Sequence, residues 1–220
     1  MKDFLARLVS LTIGLFLFAL GIVVTIKASV GYAPWDVFHV GIANTFGLSI
    51  GQVSIIVGLI IGIIVVLFRE KIGLGTISNI ICIGLIIDVM LYIDIISTPD
   101  NLILGILMLI IGLFIISLGT YFYIKSAFGA GPRDSLMVVL TRKTKIPVGI
   151  CRSILELSVT IVGWFLGGMV GIGTIIFVIG IGFCIQITFK VFRFDITSVK
   201  HESVYDTLTK LTGKKNQNKD

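Results

Sequence analysis

Four residues whose types could do chemistry together, Lys27, Gly31, Pro34 and Asp36, recur in the same order as Lys125, Gly129, Pro132 and Asp134. The offset is constant (125 − 27 = 98 and 134 − 36 = 98), and the stretches read KASVGYAPWDVFH and KSAFGAGPRDSLM. A lysine, a glycine-rich break, a proline and an aspartate two residues later describe an unwound segment followed by a helix start. Proline suits the first helical position, and a carboxylate in the first turn suits the positive end of a helix. Such a constellation can hold a charged solute or an ion. The twins differ where Trp35 faces Arg133 and His39 faces Met137, so a site built from them is asymmetric, with extra positive charge on the second side. The plainer alternative also stands: the lysines snorkel and complement helix C-termini while the aspartates merely cap.

Glu156 is the other acid placed to do work. It sits in an apolar run, where an ionised carboxylate costs about 2.5–3.5 kcal/mol at the bilayer centre, so it needs an inward face and a partner. Arg152, four residues earlier on the same helix face, is that partner, and proton coupling is the functional role open to Glu156. Asp88 is expected to reach water at the end of its span. A Gly-x-Gly-Thr motif opens two apolar runs, at Gly73–Gly75–Thr76 and at Gly171–Gly173–Thr174. Its two readings are an anion-holding helix N-terminus and a tight hairpin with threonine near the cap. His39 and His201 are isolated, and Cys82, Cys151 and Cys184 are unclustered, so neither a metal, a disulfide framework nor a cofactor is implied. No His-Glu-x-x-His, GxSxG or serine–histidine spacing points to an enzyme.

The elements that must position these residues follow from hydropathy. Hydrophobic residues make up 56% of the 220-residue chain and charged residues only 14%, against about 25% in soluble domains. Six runs, 4–26, 52–68, 74–93, 102–124, 150–166 and 172–189, are long enough or nearly so to cross a bilayer. The first is read as an uncleaved span rather than a signal peptide. Runs 34–46 and 132–144 are too short to cross and read as broken or re-entrant half-helices, with surface-lying helices as the alternative. Lysine and arginine cluster at the N-terminus, after the second, fourth and sixth spans, and in the tail. Six spans with both termini in the cytoplasm fit that distribution. The net charge of +6 therefore speaks for membrane orientation and not for nucleic acid.

The offset of 98 extends over further glycine positions: Gly21 with Gly119, Gly51 with Gly149, Gly84 with Gly182. An odd number of spans per unit turns the second unit upside down, the plan of many secondary transporters. The expected organisation is a first membrane repeat over 1–98, a second over 99–190, and a polar cytoplasmic tail over 191–220. The tail should carry a short amphipathic helix near 199–211 and a disordered end.

The residues IKASVGYAPWDVFHVGI, their twin GAGPRDSLM and the GxGT spans resemble the YczE/YyaS/YitT-type bacterial membrane proteins, the YczE branch most closely. The resemblance covers about residues 4–189, excludes the tail, and implies a multi-pass protein of the bacterial inner membrane; it carries no catalytic residues. The expectation is thus an all-α membrane protein of about six spans in two inverted repeats. It would transport a small solute or ion, anions among the candidates, through a site between the half-helices. A non-transporting membrane accessory protein acting on a partner is the competing class.

Overall fold

A computed structural model describes residues 2–195, 199 and 201–211, and every described element is helical. The helices are α1 (Lys2–Lys27), α2 (Pro34–Phe46), α3 (Ile50–Leu67), α4 (Leu74–Ile93), α5 (Leu102–Lys125), α6 (Pro132–Thr144), α7 (Val148–Phe165), α8 (Ile172–Val191) and α9 (Val204–Leu211). Five of them, α1, α3, α4, α5 and α8, are long and apolar enough to cross a membrane. A sixth span is reached when α6 and α7 are counted as one element bent by 118°. The run at 150–166 thus counts as a span together with its short neighbour, being slightly short by itself.

Local chemistry explains the boundaries. Ser49 and Gln52 form a reciprocal capping box at the start of α3, and Asn101 accepts the backbone N–H of Leu104 at the start of α5. Pro34 and Pro132 each occupy the first turn of a 13-residue helix. Before each proline the chain turns left-handed twice: Ser29 and Ala127 at φ 52° and 58°, then Gly31 and Gly129 at φ 118° and 123°. A side chain at φ near 120° is strained, so glycine is required at the second of these positions.

The centre of the bundle is the α1–α5 pair. A Cβ on Gly21 would lie 2.8 Å from the backbone N of Ile116, and one on Gly119 would lie 2.8 Å from Cα of Phe18. Glycine lets the two backbones touch, which drives helix association where the lipid supplies no hydrophobic force. Leu11, Leu15, Val23 and Leu113 fill the seam, with α4 (Ile83, Ile87) and α8 (Ile181, Cys184) packed on its two sides. On α8 the stripe Ile175, Ile179 and Phe183 is more than 60% exposed, an apolar face that meets lipid acyl chains. The short helices pack crosswise, α2 against α7 and α6 against α3.

The breaks are stitched to the opposite half of the chain. The Gly75 N–H donates to the Phe128 carbonyl and the Gly173 N–H to the Val30 carbonyl, each at 2.7 Å. Within each GxGT motif the threonine hydroxyl accepts the cap N–H, Gly73 to Thr76 at 3.3 Å and Gly171 to Thr174 at 3.2 Å. The motif is therefore a cap and a staple, and its N–H groups are occupied by protein. Asp88 does not simply reach water, as expected: it accepts from Ser49 Oγ and from the Gly51 N–H, tying α4 to the start of α3. The tail folds back, the Glu202 N–H donating to the Ala127 carbonyl and the Val204 N–H to the Ile72 carbonyl. Its helix is shorter than expected, and the end expected to be disordered lies outside the described residues.

Candidate functional site

The N-termini of α2 and α6 approach each other inside the bundle. Their second residues, Trp35 and Arg133, occupy the same position in the offset of 98, and they are in contact: the Arg133 guanidinium lies 4.6 Å from the Trp35 ring centroid. Arg133 makes no ion pair within 4.0 Å of any carboxylate among the described residues. Its cation is held on the negative face of the indole, an arrangement worth about 0.5–2 kcal/mol, rather than locked onto an acid.

Around this pair lies a cavity of about 390 Å³, within the ordinary range for small-molecule sites. Its polar rim brings together Asp36, Arg133, Asp134, Arg152 and Glu156, and its walls are the aliphatic and aromatic faces of α1, α3, α4, α5 and α8. Asp36 is 3% exposed, and His39, one turn further along α2, is 2% exposed with Nδ1 3.9 Å from the Asp36 carboxylate. His39 Nε2 and the Tyr123 hydroxyl are buried without a hydrogen-bond partner, and both residues line the cavity. A buried polar atom with nothing to bond costs about 1–3 kcal/mol, so these atoms are places where a ligand can repay its own desolvation. The Arg152 Nε donates to Glu156 at 2.8 Å, the pairing expected from their spacing.

Of the residues singled out from the sequence, Pro34, Asp36, Pro132, Arg133, Asp134 and Glu156 line this cavity. Lys27 and Lys125 do not. Lys27 pairs with Asp94 at the end of α4, and Lys125 donates to the Tyr121 hydroxyl at 3.2 Å and lies over that ring. Each lysine ends its helix, Lys27 reaching across to α4 and Lys125 folding back one turn onto Tyr121. Gly31 and Gly129 shape the stitched loops beside the cavity without lining it. Trp35, His39, Tyr123 and Arg152 belong to the site although the motif did not nominate them. The signal for Trp35 was its alignment with Arg133; that for His39 was its helical spacing from Asp36.

The two halves are not equally closed. α3 and α4 pack backbone to backbone, Gly51 on Gly84, behind the Asp88 tie. α7 and α8, the pair at the offset of 98, barely touch, and around both Gly149 and Gly182 there is open space.

Residues 5–190 match the family of unknown function DUF6198. The chain belongs to this family. It is 37% identical over 166 residues to the uncharacterized membrane protein YczE of Bacillus subtilis, covering 74% of this chain and 76% of the relative. An uncharacterized protein of Haemophilus influenzae is 34% identical over 180 residues, with 80% and 82% covered. The uncharacterized protein YyaS of Bacillus subtilis is 30% identical over 167 residues, with 74% and 83% covered. No solved structure matches. The family match ends at residue 190, and the strap formed by the tail lies beyond it. The chain is a multi-pass membrane protein whose apolar helix faces contact lipid.

Proposed function

We propose that this protein is a carrier of a small solute in the cell membrane, not an enzyme, with its site in the cavity between α2 and α6. The observation that carries the reading is the contact of Trp35 with Arg133, which puts two half-helix N-termini and a cation without an ion pair around one cavity within the bundle. Broken helices whose positive ends face a central polar site are the device by which inverted-repeat transporters hold charged groups. Element boundaries that recur at an offset of 98 (34 to 132, 50 to 148, 74 to 172) and the reciprocal stitches at Gly75 and Gly173 support two inverted units. An accessory protein that only modulates a partner has no use for buried polar atoms left without partners on the wall of a cavity.

Arg7 bonds Glu202, which brings the start of α1 and the tail to the same end of the bundle as Arg69, Lys71 and Arg142. By the excess of lysine and arginine this end is cytoplasmic. The decisive test replaces Ala33, at the cavity rim, by cysteine in a chain lacking Cys82, Cys151 and Cys184. In proteoliposomes the thiol is expected to react with polar reagents added from either side. Labelling from one side under every condition would remove alternating access, and with it the carrier reading.

A further inference from the structure

We propose that the cavity takes a small zwitterion with an apolar body, a solute of the amino-acid class, its carboxylate on Arg133 and its ammonium group between Asp36 and Asp134. This rests on the site assigned above, between the two half-helices, but not on transport itself.

Charge is the first argument. The rim carries the carboxylates of Asp36, Asp134 and Glu156 against the guanidiniums of Arg133 and Arg152, which leaves one net negative charge with His39 neutral. Arg152 and Glu156 satisfy each other at 2.8 Å. What remains for a ligand is Arg133 with Asp36 and Asp134, and Glu156 acts electrostatically on the same guanidinium as those two acids do. A simple anion would bring a second uncompensated negative charge into a largely apolar enclosure, where charge without a partner is costly. A simple cation would suit Asp36 and Asp134 but leave Arg133 on its indole platform. Arginine offers five N–H donors in a planar fork that fits a carboxylate at two points. A zwitterion answers both ends and leaves the net charge of the cavity as it was.

The unpartnered atoms point the same way. His39 is 2% exposed with Nε2 unbonded, and the Tyr123 hydroxyl is equally buried and unbonded. With Arg133 the Tyr123 hydroxyl can bond an oxygen of a bound solute, whereas neutral His39, whose Nδ1 faces Asp36, presents Nε2 as an acceptor for the ammonium group. The backbone N–H groups of Trp35 and Arg133, in the first turns of α2 and α6, have no helical acceptor and favour negative charge at the same point. The rest of the lining is mainly apolar, with Ile22, Ile80, Ile83, Ile116, Phe177 and Ile181, and Ser54, Asn79 and Thr120 are its polar members. That lining calls for an aliphatic or aromatic body rather than a second polar group.

The test uses purified full-length protein carrying Trp164→Phe, so that Trp35 is the remaining tryptophan and its fluorescence reports the site. Three probes share one body: leucine, 4-methylpentanoate, which lacks the ammonium group, and 3-methylbutylamine, which lacks the carboxylate. Leucine is expected to change the fluorescence saturably and to raise the melting temperature, with at least tenfold tighter binding than either analogue. Arg133→Lys should weaken leucine at least tenfold, and Asp36→Asn likewise. Both variants should melt cooperatively without ligand, and a variant that does not is replaced by Asp134→Asn. Tighter binding of 4-methylpentanoate than of leucine, tighter binding of the amine, or no response to leucine, phenylalanine and valine alike would overturn the proposal. Leucine binding without counterflow into proteoliposomes supports this site and removes the carrier role. Uptake of an organic anion or amine in preference to leucine leaves the carrier role and removes this site.

Discussion

The Trp35–Arg133 pair joins two positions that stand 98 residues apart, the offset of the two proline motifs. Equivalent positions meet at the centre, where identical residues would place two cations or two indoles face to face. The sequence has resolved that conflict by making the pair unlike, and the product is an attraction. The pair is open to a double-mutant cycle with Trp35→Ala and Arg133→Gln. A coupling of about 0.5–2 kcal/mol in unfolding stability is expected. A value indistinguishable from zero would mean that the stack contributes nothing. Arg152 and Glu156 are half-exposed or less, one turn apart on α7, and removing either should cost no more than about 0.5 kcal/mol by the usual worth of such pairs. A Glu156→Gln variant that melts like the parent yet loses the pH dependence of uptake would assign it to proton coupling. The same variant with pH-dependent uptake intact would leave it a structural pair. The motif pointed to Pro34, Asp36, Pro132, Arg133 and Asp134 of the cavity lining, but not to Tyr123, and it did not give the directions of the lysines. Lys27 and Lys125 share the spacing of the true rim residues and still end on Asp94 and Tyr121, because a sequence gives the order of residues along a helix and not which end of it a long side chain reaches.

At the scale of elements, the boundaries were the most legible part. Pro34 and Pro132 start their helices where a proline at the first position requires, and hydropathy marks the long spans within a few residues. What hydropathy could not reveal is which helices lie apart. The Gly51–Gly84 contact closes α3 on α4, and its counterpart at Gly149 and Gly182 is open, although all four are glycines in equivalent positions. The difference lies in the tie. Asp88 holds the start of α3 through Ser49 and Gly51. At the same offset stand Gln186, Pro147 and Gly149. A neutral amide there replaces the carboxylate and proline has no hydroxyl to donate, so no charge-assisted tie can form. A carrier must exchange these two arrangements, so weakening the tie should favour the exchange. Asp88→Asn loses charge-assisted hydrogen bonds worth about 1.5–3 kcal/mol. In a chain lacking the native cysteines, the pair Gly149→Cys and Gly182→Cys should then cross-link several-fold faster with Asp88→Asn than without it. Equal cross-linking rates would show that the two gaps do not communicate.

At the scale of the whole molecule, the tail is the part the sequence undersold. Its composition reads as a solvated appendage, yet residues 202–204 pair with the two loops joined by the stitch between Phe128 and Gly75. Arg7 joins the system: its Nε donates to the Ser126 carbonyl at 2.8 Å, one terminal nitrogen bonds Glu202 at 2.7 Å, and the guanidinium lies 4.3 Å from the Phe128 ring centroid. Long-range pairing between residues 195 positions apart has no periodic signature, which is why it stays hidden until the chain is folded. The ion pair is largely shielded, with side-chain exposures of 26% for Arg7 and 13% for Glu202. Removing one partner should therefore cost more than the ≤1 kcal/mol of a surface pair and less than the 3–5 kcal/mol of a fully buried one, about 1–3 kcal/mol. Arg7→Ala loses the carbonyl bond and the ring contact as well, so it should lower the melting temperature more than Glu202→Gln. The inner loops should become accessible in parallel, with a cysteine at Ala130 labelling faster in either variant. The same contact puts the start of α1 and the tail at one end of the bundle, and the side of the membrane that this end faces is open to test. Reporter fusions after Lys71 and after Pro99 should give opposite signals, the first cytoplasmic. If Glu202→Gln melts like the parent and leaves Ala130 labelling unchanged, the tail rests on the bundle without bracing it. A fusion after Pro99 that reports the cytoplasm would reverse the placement of both termini.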